Sequence, residues 1–170
     1  MKTIILISGR SGSGKDLSSS LMKGWKRYAF ADHLKDLVSI KYNINRKLCD
    51  TQEGKKSIVF GKKSLRSLLI EDGLEYKKDN SNFFIKFLAE KINMENHEKI
   101  VVTDFRSPNE CNILKEFLIN CDIKTLLIKR NNCNYIDDSS ETSLTDFNFD
   151  YIIENNGSID DLRDKLAMFN

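Results

Sequence analysis

The chain has 170 residues, 40% hydrophobic and 31% charged, which suits one compact domain with a sizeable core and is too short for two ordinary ones. A formal charge of +2 sets up no strong field, so neither nucleic acid nor a membrane surface is an expected partner, and a small, discrete ligand is. No run of about 18 apolar residues occurs and the N-terminal stretch is too soon glycine-rich for a signal peptide; Cys49, Cys111, Cys121 and Cys133 match neither a metal knuckle nor a dense disulfide framework, so a cytoplasmic protein with reduced thiols is expected.

In chain order, Thr3–Ser8 is a continuous β-branched apolar run, the pattern of a strand covered on both faces. Glycines follow in Gly9-Arg10-Ser11-Gly12-Ser13-Gly14-Lys15, and Leu17, Leu21 and Trp25 then place an apolar stripe on a helix over Asp16–Trp25. Arg27–Phe30 reads as a short strand. Helices are expected over Ala31–Tyr42, Lys63–Lys77 and Asn82–Met94, a strand at Lys99–Thr103, and a helix over Asn109–Ile119. A further strand at Ile123–Ile128 leads into a polar surface loop, Asn131–Asn148, before a weaker strand at Asp150–Glu154 and a helix over Ile159–Phe169. Strands alternating with helices imply an α/β fold, a parallel sheet with helices on both faces. Residues 31–98 hold three helices and no convincing strand, more than one crossover needs, and are expected to form a substrate-covering subdomain. Lys55, Lys56, Lys62 and Lys63 read as a mobile, solvated basic segment within it.

Residues 9–15 satisfy GxxxxGK between a buried strand and a helix. Glycines let backbone N–H groups turn inward as an anion nest, and Lys15 reaches the terminal phosphates. The next position, where a Ser or Thr hydroxyl ordinarily holds Mg²⁺, is Asp16; a carboxylate binds Mg²⁺ directly or through water but adds negative charge beside a triphosphate. That departure argues against a GTPase or motor ATPase, and a small kinase remains as the expectation.

Phosphoryl transfer between small molecules needs cations on both phosphates, a metal position and exclusion of water. Asp104 and Arg106 end an apolar strand, where ligands bind in open α/β sheets. Asp104 either holds the Mg²⁺ water shell or orients the acceptor, and Arg106 suits a bidentate grip on the acceptor phosphate; the alternative is that the two pair with each other and cap the next helix. Glu110 is balanced between a first-turn helix charge and a site residue. Arg66 lies on a helix held by Leu65, Leu68 and Leu69, either as a site residue or as a solvated charge. Arg130 follows a buried strand, where small kinases place a lid arginine, while Asp137, Asp138 and Glu141 either close that loop or are simply solvated. Of Asp32, His33 and Lys35, Lys35 is the better phosphate ligand and His33 the structural residue. Arg27, Arg46 and Arg163 are assigned to the surface. A mere ATP-binding module would need no second cation set such as Arg66, Arg106 and Arg130.

Four segments in this order, Gly9 to Asp16, Phe30-Ala31-Asp32-His33-Leu34-Lys35, Arg66-Ser67-Leu68-Leu69 followed by Gly73, and Thr103-Asp104-Phe105-Arg106-Ser107-Pro108-Asn109-Glu110, resemble the deoxynucleoside monophosphate kinases of bacteriophages and large DNA viruses. A GKD loop is usual there, and Glu154-Asn155-Asn156-Gly157-Ser158-Ile159 followed by Leu162 is similar as well. The resemblance implies a three-layer P-loop fold of nucleoside monophosphate kinase type. It spans residues 1–170 as one domain, with a helical acceptor-binding insertion at about 31–98 and a lid-like loop at about 131–148. The implied reaction moves the ATP γ-phosphoryl group to a deoxynucleoside monophosphate with Mg²⁺, in the cytoplasm (the host's, if viral), as a monomer or homodimer. By motif position, Gly9, Arg10, Ser11, Gly12, Ser13, Gly14, Lys15, Asp16 and Leu17 hold the donor, with Asp16 at the metal. Asp32, Lys35, Arg66, Asp104, Arg106 and Glu110 surround the acceptor, and Lys15, Asp104, Arg106 and Arg130 serve the transfer. The chain departs from that family at Leu17, often Thr, and at Ser107, often aromatic. Animal-type phosphomevalonate kinases also resemble it, through GKD, Asp50-Thr51 before Lys55, Asn82-Phe83-Phe84 and the stretch from Asp137 to Asn155, but those enzymes double the arginine where Ser107 follows Arg106.

Overall fold

The computed structural model describes residues 1–131, 133 and 143–169. In chain order it contains β1 (Lys2–Ser8), α1 (Lys15–Leu21), β2 (Lys26–Tyr28), α2 (Ala31–Lys41), a 3-10 turn at Arg46–Asp50, α3 (Gln52–Lys56), β3 (Ile58–Phe60) and β4 (Lys63–Ser64). There follow α4 (Leu65–Asp79), α5 (Phe83–Met94), β5 (Lys99–Val102), α6 (Pro108–Phe117), β6 (Cys121–Lys129), β7 (Tyr151–Glu154) and α7 (Ile159–Leu166), with a 3-10 turn at Ala167–Phe169. Packing divides the chain into two units, Met1–Ala29 with Ala89–Asn170, and Phe30–Leu88.

The first unit is built on a five-stranded parallel sheet of order β2-β5-β1-β6-β7. Strand β1 pairs on both sides, Ile4 lying opposite Ile100 of β5 and Ile123 of β6. Central position explains its composition: Ile4, Ile5, Leu6 and Ile7 are each no more than 1% exposed, because successive side chains enter opposite, equally covered faces. On one face Ile5, Ile7, Val101, Leu126 and Ile128 pack with Met22, Leu162 and Leu166, and Leu17, Leu21 and Trp25 close the edge of that cluster. The result is a three-layer α/β fold. No helix of the described residues is long and apolar enough to cross a membrane.

Several element boundaries differ from the expectation. Helix α1 stops at Leu21 instead of Trp25, because Met22 turns to an extended conformation and Gly24 takes φ +78°. Trp25, beyond the helix end, still packs on the same cluster as Leu17 and Leu21, its indole N–H donating to the Phe169 carbonyl at 3.2 Å. Strand β2 ends at Tyr28, and Phe30 already has helical angles at the start of α2. In the second unit a strand pair was not expected, yet β3 and β4 form an antiparallel hairpin that turns through Gly61 at φ +59°. Helix α4 accordingly starts at Leu65, where the Ser64 hydroxyl accepts from the Ser67 N–H at 3.2 Å. Lys55 and Lys56 therefore end a helix and Lys63 lies in a strand, its ammonium 2.5 Å from Glu71. The core of this unit is Val38, Cys49, Leu65 and Leu68. Gly73 allows a close approach of helices, since a Cβ there would come within 3.0 Å of Leu34 Cδ2.

Candidate active site

A cavity of about 410 Å³ opens in the first unit where four parallel strands end. Its wall takes Ser8 from the end of β1, Asp104 and Arg106 from just beyond β5, Lys129 and Arg130 from the end of β6, and Glu154 from the end of β7. This is the carboxyl edge of the sheet, where open α/β folds place ligands. Gly9, Arg10 and Lys15 complete it. Among the described residues the wall carries five cationic side chains, Arg10, Lys15, Arg106, Lys129 and Arg130, against the carboxylates of Asp104 and Glu154, a balance that selects an anionic ligand.

The loop between β1 and α1 adopts its shape because glycine stands at the positions that demand it. Gly9, Gly12 and Gly14 have φ of +151°, +81° and +100°. A Cβ on Gly9 would collide with the Ile128 carbonyl and one on Gly14 with the Asn155 amide. The loop closes through the Ser13 N–H, which donates to the Arg10 carbonyl at 3.0 Å. Lys15 reaches back over it, Nζ donating to the carbonyls of Gly9 at 2.6 Å and Arg10 at 2.9 Å. The Ser18 hydroxyl and N–H both donate to the Gly14 carbonyl, at 2.9 and 2.8 Å, fastening the start of α1.

The segment after β5 is rigid for a different reason. Phe105 is 1% exposed, donates its N–H to the Ile7 carbonyl at 3.2 Å, and meets Phe147 and Phe149 edge to face at 5.4 and 6.2 Å. Its neighbours Asp104 and Arg106 line the cavity from that anchored backbone. The segment then enters α6 through a capping box: the Ser107 hydroxyl accepts from the Asn109 N–H at 3.3 Å, and the Glu110 carboxylate accepts from the N–H groups of Arg106 at 2.7 Å and Ser107 at 3.0 Å.

Gly9, Arg10, Lys15, Asp104, Arg106 and Arg130 thus come together around one cavity. Leu17, Asp16 and Glu110 are not on its wall. Leu17 was placed with the donor by motif position; its side chain packs on the core cluster beside Leu21, as the apolar stripe of α1 requires. Asp16 is exposed in the first turn of α1 and is not part of the cavity wall. Glu110 acts in the capping box instead of lining the cavity. Asp32, Lys35 and Arg66 belong to the second unit. There Lys35 lies 2.9 Å from Asp50 and 3.6 Å from Asp32, and Arg46 reaches Asp36 at 2.6 Å, Asp50 at 2.7 Å and Asp32 at 3.5 Å. Burial works against the charge of Asp50, but the bonds from Lys35 and Arg46 outweigh it and hold its carboxyl below the ordinary range. Burial likewise disfavours the Arg46 cation, and its bonds to Asp36 and Asp50 more than compensate. Arg46, assigned to the surface from sequence, is the hub of this network. His33 stacks on Phe87 with ring centroids 3.4 Å apart, the structural position expected for it. Asp137, Asp138 and Glu141 lie outside the described residues.

Sequence reading missed Lys129 and Glu154 on the cavity wall, and gave Asn155 no role of its own. Only their position at the carboxyl ends of β6 and β7 pointed to them.

No family model matches the chain, and no curated protein matches it. Among solved structures it is similar to the APS kinase of Mycobacterium tuberculosis in complex with AMPPNP and APS, with 11% identity, a TM-score of 0.52, and coverage of 99% of this chain and 96% of the other. It is similar also to a gluconokinase from Sinorhizobium meliloti 1021, with 9% identity, a TM-score of 0.50, and coverage of 98% and 90%. A third similar structure is TT1252 from Thermus thermophilus, with 17% identity, a TM-score of 0.50, and coverage of 98% and 95%. These likenesses, with the glycine loop and the strand order above, establish the fold as that of the P-loop kinases.

Proposed function

We propose that the chain is an ATP-dependent phosphotransferase that moves the γ-phosphoryl group of ATP to the phosphate of a deoxynucleoside monophosphate. A phosphate oxygen of the acceptor bonds to the γ-phosphorus, the bond from that phosphorus to the β–γ bridging oxygen breaks, and a deoxynucleoside diphosphate and ADP leave. The observation that carries this reading is the second set of cations on the cavity wall. Arg10 and Lys15 belong to the phosphate loop, whereas Arg106 and Arg130 come from two other strand ends onto the same cavity. A binder of ATP alone has no use for cations there, while transfer between two phosphates requires charge on both. Lys15 leaves the Gly9 and Arg10 carbonyls for the donor phosphates, Arg106 holds the acceptor phosphate, and Arg130 meets the charge that develops on the group in transit.

Among the described residues no cluster of three or more His, Cys, Asp and Glu side chains is placed to hold a metal. That fits Mg²⁺, which keeps several waters and takes one or two carboxylates together with substrate phosphates. Asp104 and Glu154 are the carboxylates on the cavity wall, so Asp104 takes the metal-side position that motif spacing gave to Asp16. When bound, Mg²⁺ supplies charge neutralisation on the donor phosphates. The nucleotide acceptor rests on the four segments that resemble the viral nucleotide kinases. It is also supported by Ser107, whose hydroxyl caps α6, a role that the second arginine of the phosphomevalonate enzymes would not fill. The test is product identification after incubation with γ-labelled ATP: label in a deoxynucleoside diphosphate is expected, and label in phosphomevalonate product alone would replace the acceptor assignment.

A further inference from the structure

Asn155 follows β7, 5% exposed, and its side chain reaches across 142 residues of sequence to the phosphate loop. Its amide Nδ2 donates to the Ser13 carbonyl at 2.8 Å, while its own N–H is fixed on the Lys129 carbonyl at 2.6 Å. The peptide between Ser13 and Gly14 is planar and trans, so a carbonyl held towards Asn155 turns the Gly14 N–H to the opposite side. The Ser13 hydroxyl beside it is buried and finds no hydrogen-bond partner among the described residues. Gly14 completes the fit, since a Cβ at its φ of +100° would strike the Asn155 amide. The next residue extends the connection, for the Asn156 carboxamide oxygen accepts the Asn131 N–H at 2.7 Å, directly after Arg130.

We propose that Asn155 is a positioning residue for the donor: by holding the Ser13 carbonyl it keeps the Gly14 N–H aimed at the phosphates of a nucleoside triphosphate. The proposal rests on the reading of the loop as a triphosphate site. Asn155→Asp has nearly the native shape but exchanges the donor for an acceptor facing a carbonyl, whereas Asn155→Ala removes the side chain. A buried carboxylate carries a charge cost of its own, so alanine and serine decide: affinity falls with them if the N–H sets the peptide, whereas only the melting temperature falls if the side chain merely fills space.

The experiment is calorimetric titration of the wild-type chain, Asn155→Ala, Asn155→Asp and the smaller change Asn155→Ser with Mg²⁺ and a non-hydrolysable ATP analogue, alongside thermal melting of each. The expected result is affinity about tenfold weaker in Asn155→Ala, at least as weak in Asn155→Asp and intermediate in Asn155→Ser, with the KM of the acceptor unchanged in turnover assays. Variants that melt lower but bind the analogue as tightly as wild type overturn the proposal and leave the phosphotransferase reading standing. Should Asn155→Ala and Asn155→Asp not fold, Asn155→Ser decides alone, wild-type affinity overturning the proposal and weakened affinity supporting it. A wild-type chain that binds no analogue removes the reading of the loop, and the Asn155 proposal with it.

Discussion

Replacing Arg106 by alanine separates the two phosphate sites. The side chain is exposed, and the backbone beneath it is held by Phe105 and by the capping box of α6, neither of which needs the guanidinium. Stability is therefore expected to change by no more than about 0.5 kcal/mol. The effect on catalysis is larger. Two unit charges about 4 Å apart at an effective dielectric near 20 interact by about 4 kcal/mol, and a charge-assisted hydrogen bond retains a net of about 1.5–3 kcal/mol after desolvation. Converted at about 1.4 kcal/mol per decade, kcat/KM for the acceptor falls roughly 10- to 150-fold. Steady-state kinetics with each substrate varied, together with direct titration of the ATP analogue, reads the partition: the loss appears in acceptor KM or kcat, and the affinity for ATP stays as in wild type. A parallel loss of ATP affinity would place Arg106 on the donor side and refute the division of the cavity argued above.

Lys15→Ala is expected to lower kcat by about 10² to 10³ without altering the far-ultraviolet circular dichroism, because it removes charge that follows the transferring group; unchanged turnover would remove the loop from the mechanism. Ser107→Ala deletes the α6 cap and is expected to lower stability by about 1 kcal/mol in denaturant titration, with a smaller loss of turnover through the less fixed Arg106. Asp150 accepts from the Thr125 N–H at 2.8 Å and hydroxyl at 2.7 Å; burial opposes its charge, and these bonds prevail to hold its carboxyl below the ordinary value. A depressed folded pKa means that this contribution to stability is present above the unfolded value of about 3.9 and is lost as pH falls through the folded one. The melting temperature of Asp150→Asn should accordingly lie below wild type at neutral pH, the gap closing only as pH falls below the unfolded value and through the depressed folded one; a constant gap across the acid range would show that the charge is irrelevant.

The phosphate loop was legible because its glycines are a backbone requirement: φ values of +151°, +81° and +100° admit few other residues, so the conformation is written in residue type. The central strands were legible for a similar reason, burial on both faces leaving unbroken apolar runs such as Ile4 to Ile7. Leu17 shows two sequence signals in conflict. Motif position put it with the phosphates, helical spacing with Leu21 put it in the core, and packing followed the spacing. The hairpin carried a signal that was passed over, Ile58-Val59-Phe60 before Gly61, since strands of two and three residues barely rise above the surrounding helices. Partnerships between distant residues left no local trace. Arg46 gathers Asp32, Asp36 and Asp50 only once α2 and the 3-10 turn are folded together, and Asn155 finds Ser13 only when β7 joins the sheet.

The central claim, that this cavity joins two phosphates, is tested most directly by ADP release from Mg·ATP, with wild type and Lys15→Ala measured against the deoxynucleoside monophosphates, their ribose counterparts and phosphomevalonate. Release that depends on a deoxynucleoside monophosphate and vanishes in Lys15→Ala is the predicted result. ADP release that no phosphorylated acceptor stimulates, from a chain that binds Mg·ATP, would contradict it and leave transfer to water as the only reaction.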